Sequence, residues 1–537
     1  MSRVKYIFVS GGVISGLGKG ITAASLGLLL EGAGYKTSII KADMYLNQDA
    51  GTMNPLEHGE VFVTDDGTES DQDLGHYERF MNINLSRHNY FSMGQVYAEV
   101  LRKERALEYG GKCVEGHVHI PEEIIKRINN TARLDKCDLL IIEVGGTVGE
   151  YQNMMFFESI RRLRQENPNR VALMHVVYLP IPPFLGEMKS KPAQASIYEL
   201  YRLGLQPDFV VCRGQEEIDE KRKKTLAFNT GVCEDCIFNN ADVNTIYRTP
   251  VIFKDQQMEI KVLKKFGLKP KKKDLVEWKK MLAKVSLAKK EVKIAIMGKY
   301  FTSGNFKLED SYVCVIEAIK HAAWFLGKKP IIQWFDVENF KEAELSKYDG
   351  IIVPQGWGSR GVEGKIRAVQ FAREHKVPYL GLCFGMQMAV VEFARHIAKL
   401  TDANSTEVNP KTKFPVIHVM EDQKEYLAKN QYGGTIRLGS WPCAIKPGTT
   451  LAKAYGKTEV SERHRHRYEF NNDYKQILER KGLVISGTSP DGKLVEAVEL
   501  PKDVHPFFVG TQFHPEYKSR PLSPHPIFIE FLKACQK

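Results

Sequence analysis

No apolar run in the 537 residues approaches the length of about 20 needed to cross a bilayer. The chain enters its first apolar stretch at Tyr6 without a signal-peptide pattern ahead of it, so the expectation is a cytoplasmic protein with no membrane partner. Cysteine is sparse: nine residues, an odd number without a dense framework, fit a reducing compartment and exclude a disulfide scaffold. Cys233 and Cys236 form a lone CxxC with no second pair at zinc-site spacing, so no structural metal is expected there. Acidic residues are outnumbered, giving a formal charge of +11, but much of the excess lies in the run from Lys264 to Lys290. Aromatic residues are scarce in that run, so a solvated basic linker explains it better than a nucleic-acid face. Anionic small ligands account for the remaining charge.

What the chain has is length enough for two or more domains and a glycine-rich loop near its start. Ser10-Gly-Gly-Val-Ile-Ser-Gly-Leu-Gly-Lys-Gly-Ile21 follows the apolar run Tyr6 to Val9 and precedes a helical stretch. Glycines there let successive N–H groups turn inward, and the following helix adds its positive end, so the loop suits a phosphate. Five residues rather than four separate Gly12 from Gly18, and Lys19 is followed by Gly20 rather than Ser or Thr. The hydroxyl that ordinarily ligates Mg²⁺ is therefore missing, and carboxylates elsewhere must hold the metal. A strand-to-helix turn without ligand is the alternative.

Residues 1–263 read as alternating strands and helices, the pattern of a mostly parallel sheet with ligands beyond its strand C-termini. Thr37 to Lys41 is expected as the second strand, bringing Lys41, Asp43 and Tyr45 to that edge. Leu139 to Glu143 is a buried strand ending in a carboxylate. Asp65-Asp66, Asp71 and Asp73 supply further acids, and Glu143 with Asp73 are the expected metal ligands. In Gly186-Glu-Met-Lys-Ser-Lys-Pro-Ala-Gln194, Pro192 biases Lys191 towards an extended backbone. Lys189 and Lys191 would then share one side and favour a second triphosphate between them. Lys224 and Phe228, one turn apart, offer a charge and a ring for a base, or Phe228 packs the helix.

After the basic run, Val292 to Gly298 restarts an α/β pattern and a second domain over 292–537, with 264–291 as linker. Gly381-Leu-Cys-Phe-Gly385 joins a strand to a helix, the thiol counterpart of a nucleophile elbow. Such a turn exposes the sulfur to the helix N-terminus. Far downstream, His514 and Glu516 stand two residues apart at a strand end. Cys383, His514 and Glu516 match the nucleophile, base and orienting acid of acyl transfer.

Together these residues resemble the CTP synthase family over nearly the whole chain. The resemblance rests on Asp49-Ala-Gly-Thr-Met, Glu57-His-Gly-Glu-Val-Phe-Val63, Asp73-Leu-Gly-His-Tyr-Glu-Arg-Phe80 and Glu143-Val-Gly-Gly-Thr-Val-Gly149, with the lysine segment. The C-terminal half is similar to class I glutamine amidotransferases through Gly381 to Gln387, Ala403 to Glu407, Glu462 to Tyr468 and Gln512 to Glu516. The implied fold is two α/β domains with mostly parallel sheets, one P-loop and dethiobiotin-synthetase-like, the other a class I glutaminase. The implied activity is ATP-dependent amination of UTP to CTP, through UTP phosphorylated at O4, with ammonia from glutamine passed internally.

The resemblance also implies the site residues. ATP falls to Ser15, Gly16, Leu17, Gly18, Lys19, Gly20, Ile21, Asp73, Asp242 and Val243, with Mg²⁺ on Asp73 and Glu143. UTP, or CTP as inhibitor, falls to Ser15, Lys41, Glu150, Tyr151, Gln152, Lys189, Ser190, Lys191, Pro192, Ala193, Gln194 and Lys224. Glutamine falls to Gly356, Phe384, Gln387, Glu407 and Arg467, and the ammonia passage to Pro55, His58 and Val61. GTP activation, a homotetramer and filaments are family expectations; nucleic acid is not.

The chain departs from the family pattern in four places. Phe184-Leu185 precede Gly186, Ser190 and Ala193 replace threonines, and Glu150-Tyr-Gln152 replaces Asp-Ile-Glu. The last change predicts weaker CTP feedback. Pro354-Gln-Gly-Trp-Gly358 replaces a Pro-Gly-Gly-Phe-Gly turn, and if Gln355 must take positive φ to let the turn donate to an oxyanion, the turn is strained. Two rivals stand beside this reading: a carboxylate-amidating relative, and a filament-forming scaffold without catalysis.

Overall fold

The computed structural model describes residues 4–272, 275–299, 302–303, 306–307, 309–420, 423–429 and 433–535. They fall into two compact units, one of residues 1–49 with 76–279 and the other of residues 50–75 with 280–537. Among the described residues no helix is long and apolar enough to cross a membrane.

The first unit is built on β1 (Lys5–Gly11), which hands over through the glycine loop to α1 (Lys19–Gly32) and then β2 (Thr37–Asp43). With β3 (Tyr90–Ser92), β4 (Leu139–Val144), β5 (Val171–Tyr178), β6 (Phe209–Gly214) and β7 (Ile237–Ala241), these strands make a sheet ordered β3-β2-β4-β1-β5-β6-β7. Every pair in it is parallel. The strands β2 and β4 are buried along their whole length, as a sheet covered on both faces requires. The chain winds to one side of β1 through β2 to β4 and to the other through β5 to β7. The crevice at the C-terminal end of β1 is thus where the winding reverses, the usual ligand position in open α/β sheets.

Two local expectations are corrected. Lys191 is not extended: it opens α2 (Lys191–Arg202) with Pro192 in the first turn, where the missing N–H has no intrahelical partner to lose. The basic run is not a plain linker either. It ends the helix Met258–Lys265 and continues in the helix Val276–Leu287, while Lys273 and Asp274 lie outside the described residues. Trp278 there is 2% exposed, donates its indole N–H to Tyr247 O at 2.8 Å and packs against Phe80.

The second unit carries a nine-stranded sheet of β8 (Lys290–Gly298), β9 (Lys328–Asp336), β10 (Gly350–Val353), β11 (Tyr379–Leu382), β12 (Arg437–Ile445), β13 (Glu459–His466), β14 (Val484–Thr488), β15 (Val495–Glu499) and β16 (Phe508–Thr511). Its order is β9-β8-β10-β11-β16-β15-β14-β12-β13. The pairs up to β11–β16 are parallel and those beyond are antiparallel. Helices Val362–Glu374 and Phe384–His396 bury their apolar faces in one core cluster with Ile351, Val353 and Tyr379. Residues 50–75, which the sequence reading assigns to the N-terminal domain, pack with this unit.

Candidate active site

In the first unit, the loop after β1 positions its groups by exclusion. A Cβ on Gly12 would collide with Ser196 Oγ, which is held at 2.7 Å from His175 Nε2, while His175 Nδ1 meets Ser10 Oγ at 2.9 Å. Gly16 and Gly18 take φ of 71° and 81°, and Gly18 caps α1 without a side-chain bond, so the first N–H groups of α1 face the loop. Ser15 and Gly16 are exposed, Leu17 is buried, and Gly20 and Ile21 belong to the first turn. Lys19 is buried and donates to Gly146 O at 2.6 Å.

Lys41 and Glu143 are register partners on β2 and β4, and Lys41 Nζ lies 3.1 Å from Glu143 Oε1 and 3.6 Å from Asp43 Oδ1. The Tyr77 hydroxyl donates to the other Glu143 oxygen. Glu143 is therefore a buried carboxylate with a donor on each oxygen. Asp73, which belongs to the 50–75 segment grouped with the second unit, opens the helix Asp73–Met81 and donates its N–H to Asp71 Oδ1 at 3.4 Å. Asp242, after β7, pairs with Arg213 at 2.6 Å, and Val243 follows it half-buried. A Cβ on Gly18 would lie 3.8 Å from Arg213 Nε, a neighbour that no sequence pattern announced.

The lysine segment is arranged around its own acid, with Lys189 paired to Glu187 and Lys191 exposed at the start of α2. Ser190 caps α2 by position and accepts from Gln194 at 3.1 Å, beside Pro192 and the buried Ala193. Gln194 also accepts from Asn229 of the helix Glu220–Thr230. On that helix Lys224 is exposed and Phe228 is 89% exposed, so Phe228 does not pack the helix. Glu150 accepts from the N–H and hydroxyl of Thr147 at 2.8 and 2.6 Å, while Tyr151 is 90% exposed and Gln152 is exposed.

In the second unit, Cys383 sits between β11 and the helix Phe384–His396 at φ 50°, ψ −101°, a conformation rare for any residue but Gly. Its N–H donates to Thr511 O of β16 at 2.7 Å. The turn is tight enough that a Cβ on Gly385 would collide with Val353 O and one on Gly381 would lie 2.6 Å from Tyr379 Oη. The next strand over delivers the base: His514 Nδ1 meets Glu516 Oε1 at 2.6 Å, and both residues are 1% exposed. Burial alone would lower the His514 pKa, but the Glu516 carboxylate and then Cys383 more than offset it and hold it up at about 10. Among the described residues His514 Nε2 has no other hydrogen-bond partner and is available to Cys383, whose sulfur receives Gln512 Nε2 at 3.5 Å and lies 3.8 Å from Arg465 O.

Gly356, Phe384, Gln387, Glu407 and Arg467 all line one cavity with Cys383 and His514. Glu407 accepts the Gly358 N–H at 2.6 Å, and its pKa is raised by burial against the opposing pull of that N–H and Lys299. Gln387 donates to Tyr468 O at 2.8 Å, and Arg467 donates to Gln423 and Thr435. Only about 10 Å³ is free there, about one water probe, so glutamine enters only if lining groups move. A second cavity of about 270 Å³ shares Trp357, Glu407, Arg465, Arg467 and Tyr468 with the first and reaches Pro55. His58 ends the helical turn Pro55–His58, and the Val61 carbonyl accepts the Tyr517 hydroxyl at 2.9 Å.

Two lysines that sequence reading passed over fix the turn 354–358. Lys365 donates to Pro354 O at 2.8 Å and Gln355 O at 3.4 Å; Lys299 donates to the carbonyls of Trp357, Gly358 and Arg360. Burial lowers both pKa values, Lys299 to about 8 and Lys365 well below the usual lysine range. Gln355 is not at positive φ in this conformation of the turn, which therefore carries no left-handed strain there.

Residues 5–268 match the family described as CTP synthase N-terminus, and residues 307–534 match glutamine amidotransferase class-I. The chain is 49% identical to a CTP synthase of Sulfurisphaera tokodaii over 99% of both chains. It is 48% identical to one of Carboxydothermus hydrogenoformans over the same share. Among solved structures it is similar to the glutaminase domain of Trypanosoma brucei CTPS with bound acivicin, at 36% identity and a TM-score of 0.42, covering 45% of this chain and 93% of that one.

Proposed function

The chain belongs to the CTP synthase family and converts UTP to CTP with glutamine as nitrogen donor; on that premise we propose how its own residues divide the work. Cys383 attacks the glutamine side-chain carbonyl carbon as thiolate, His514 protonates the departing ammonia, and water then releases glutamate from the thioester. Glu516 keeps His514 oriented and protonated. Backbone N–H groups of Phe384 and of the turn at Gln355–Gly356 would receive the oxyanion. Glu407 and Arg467 hold the amino acid end of glutamine, and ammonia leaves past Pro55, His58 and Val61.

In the other domain, placed over residues 1–263, the loop from Ser15 to Ile21 with Lys19 holds ATP. Lys41, Lys189, Lys191, Gln194 and Lys224 hold UTP. Phosphate is transferred to O4 of UTP, ammonia attacks C4, and phosphate leaves. Glu143 would face a nucleotide-bound Mg²⁺, with Asp73 as the second acid supplied by the sequence; the cation would neutralise phosphate charge. GTP activation, a homotetramer and a cytoplasmic location belong to the same proposal.

The observation that carries the reading is the strained Cys383 turn beside a buried His514–Glu516 pair. Cys383→Ala tests it: CTP formation from glutamine is lost and formation from ammonium persists. Loss of both, in a folded variant, or loss of neither, overturns the assignment.

A further inference from the structure

Gln355 does not point to solvent. Its Nε2 donates to Glu60 Oε1 at 2.6 Å, and Glu60 is 4% exposed. The second Glu60 oxygen accepts the backbone N–H of Cys314 at 2.7 Å, so the carboxylate is anchored to the start of the helix Val313–Phe325. Among the described residues Gln355 Oε1 is buried with no hydrogen-bond partner, so there the amide is held through its donor side by Glu60. The residues that follow Glu60 reach the other side of the same site. The Val61 carbonyl accepts from Tyr517, Phe62 packs edge-on to Tyr517 at 5.3 Å, and Tyr517 stacks on the His514 ring at 4.9 Å and 14°.

We propose that Glu60 is a positioning residue for glutamine hydrolysis: through Gln355 it holds the turn aimed at the oxyanion, and its neighbours Val61 and Phe62 hold Tyr517 beneath the catalytic base. The segment that begins the proposed ammonia exit thus also sets both halves of the site that makes the ammonia. A glycine at 355 has no side chain with which to make this tie. In this chain the turn carries a charge-assisted hydrogen bond in its place. The inference rests on Cys383 being the nucleophile and on the turn at 355 being the donor.

The test exchanges the two ends of the bond. Gln355→Glu sets two carboxylates against each other at a hydrogen-bond distance, and the turn is pushed away. Gln355→Leu removes the donor without charge. In the double variant Glu60→Gln/Gln355→Glu, the new amide at 60 donates to the new carboxylate at 355 and still accepts the Cys314 N–H. Glutaminase kcat and KM are measured on all three in the full chain, with ammonia-dependent CTP synthesis on each as the control for folding. Gln355→Glu is expected to lose about tenfold or more in kcat, with a smaller change in KM, because one misplaced oxyanion donor costs about 10²–10³ at its limit. Gln355→Leu is expected to lose severalfold, and the double variant to recover to within about threefold of the parent, since a hydrogen bond of the same kind is restored. Parental kcat in Gln355→Glu or Gln355→Leu, or a double variant no better than Gln355→Glu, overturns the proposal. Cys383→Ala in the same series separates the two levels: if it keeps glutaminase activity the site reading fails, and if it loses activity while the position 355 variants are silent, only the tie fails.

Discussion

Lys365→Met removes a buried ammonium without leaving a large hole. Lys365 is fully buried, and its Nζ bonds Pro354 O at 2.8 Å and Gln355 O at 3.4 Å while lying 5.2 Å from the Phe384 ring. Both carbonyls belong to the peptides whose N–H groups are the proposed oxyanion donors, and a Cβ on Gly356 would lie 3.2 Å from Lys365 Nζ, so the lysine and the glycine fit each other. A hydrogen bond to a charged group contributes about 1.5–3 kcal/mol. If most of it is expressed as preference for the donating orientation, its loss slows glutamine hydrolysis roughly tenfold to a hundredfold, at about 1.4 kcal/mol per factor of ten. Overall stability changes less, because the carbonyls left bare cost about 1–3 kcal/mol while the burial of the ammonium is relieved. The assay is steady-state glutamate release beside CTP formation from ammonium, with the thermal midpoint as a check. A glutaminase rate within about twofold of the parent, in a variant that folds, would refute the claim that Lys365 aims the turn, because even 0.4 kcal/mol would show as a factor of about two.

Two further outcomes follow from the same geometry. Lys19→Ala and Glu143→Ala are expected to abolish CTP formation from ammonium as well as from glutamine, since both act at phosphoryl transfer; normal ammonia-dependent turnover in either would move the ATP site elsewhere. Glu516→Gln removes the carboxylate that raises His514 to about 10, so the alkaline limb of the glutaminase pH profile should move to lower pH. The sign also holds for stability. A folded pKa raised above the unfolded value near 6.5 stabilises fully below that value and ceases to do so as pH rises through about 10. The difference in thermal midpoint between parent and Glu516→Gln should therefore narrow across that window, and a difference that grows with pH would contradict it.

The elements whose logic is local were legible in the sequence. The strand, glycine loop and helix from Lys5 to Gly32 and the turn at Cys383 announce themselves by glycine spacing beside apolar runs, and the structure has both. Lys299 and Lys365 were not legible, because a lysine ordinarily reads as a solvated charge, and the turn carbonyls that receive their protons, 58 positions away for Lys299 and 11 for Lys365, follow no sequence pattern. Glu60 was illegible for a different reason: its partners lie 254 and 295 positions away in the chain, and no periodicity reports such a distance. The extended reading of Lys191 failed because the bias of a following proline is weaker than the tolerance of a helix for proline in its first turn.

Cys383 and His514 follow β11 and β16, neighbouring parallel strands joined in register from Tyr379 with Phe508 to Leu382 with Thr511. Their spacing is therefore that of a sheet, about 4.8 Å between strands, and is among the stiffest dimensions a protein offers. The N–H of Cys383 bonds across that seam, so it should rank among the slowest amides in native-state hydrogen exchange, opening only with the whole unit. The 354–358 turn hangs from lysine side chains rather than from a strand pair and should exchange much sooner. A signal that switched glutamine hydrolysis on or off would have little leverage over nucleophile and base and far more over the 354–358 turn, which lines the same cavity.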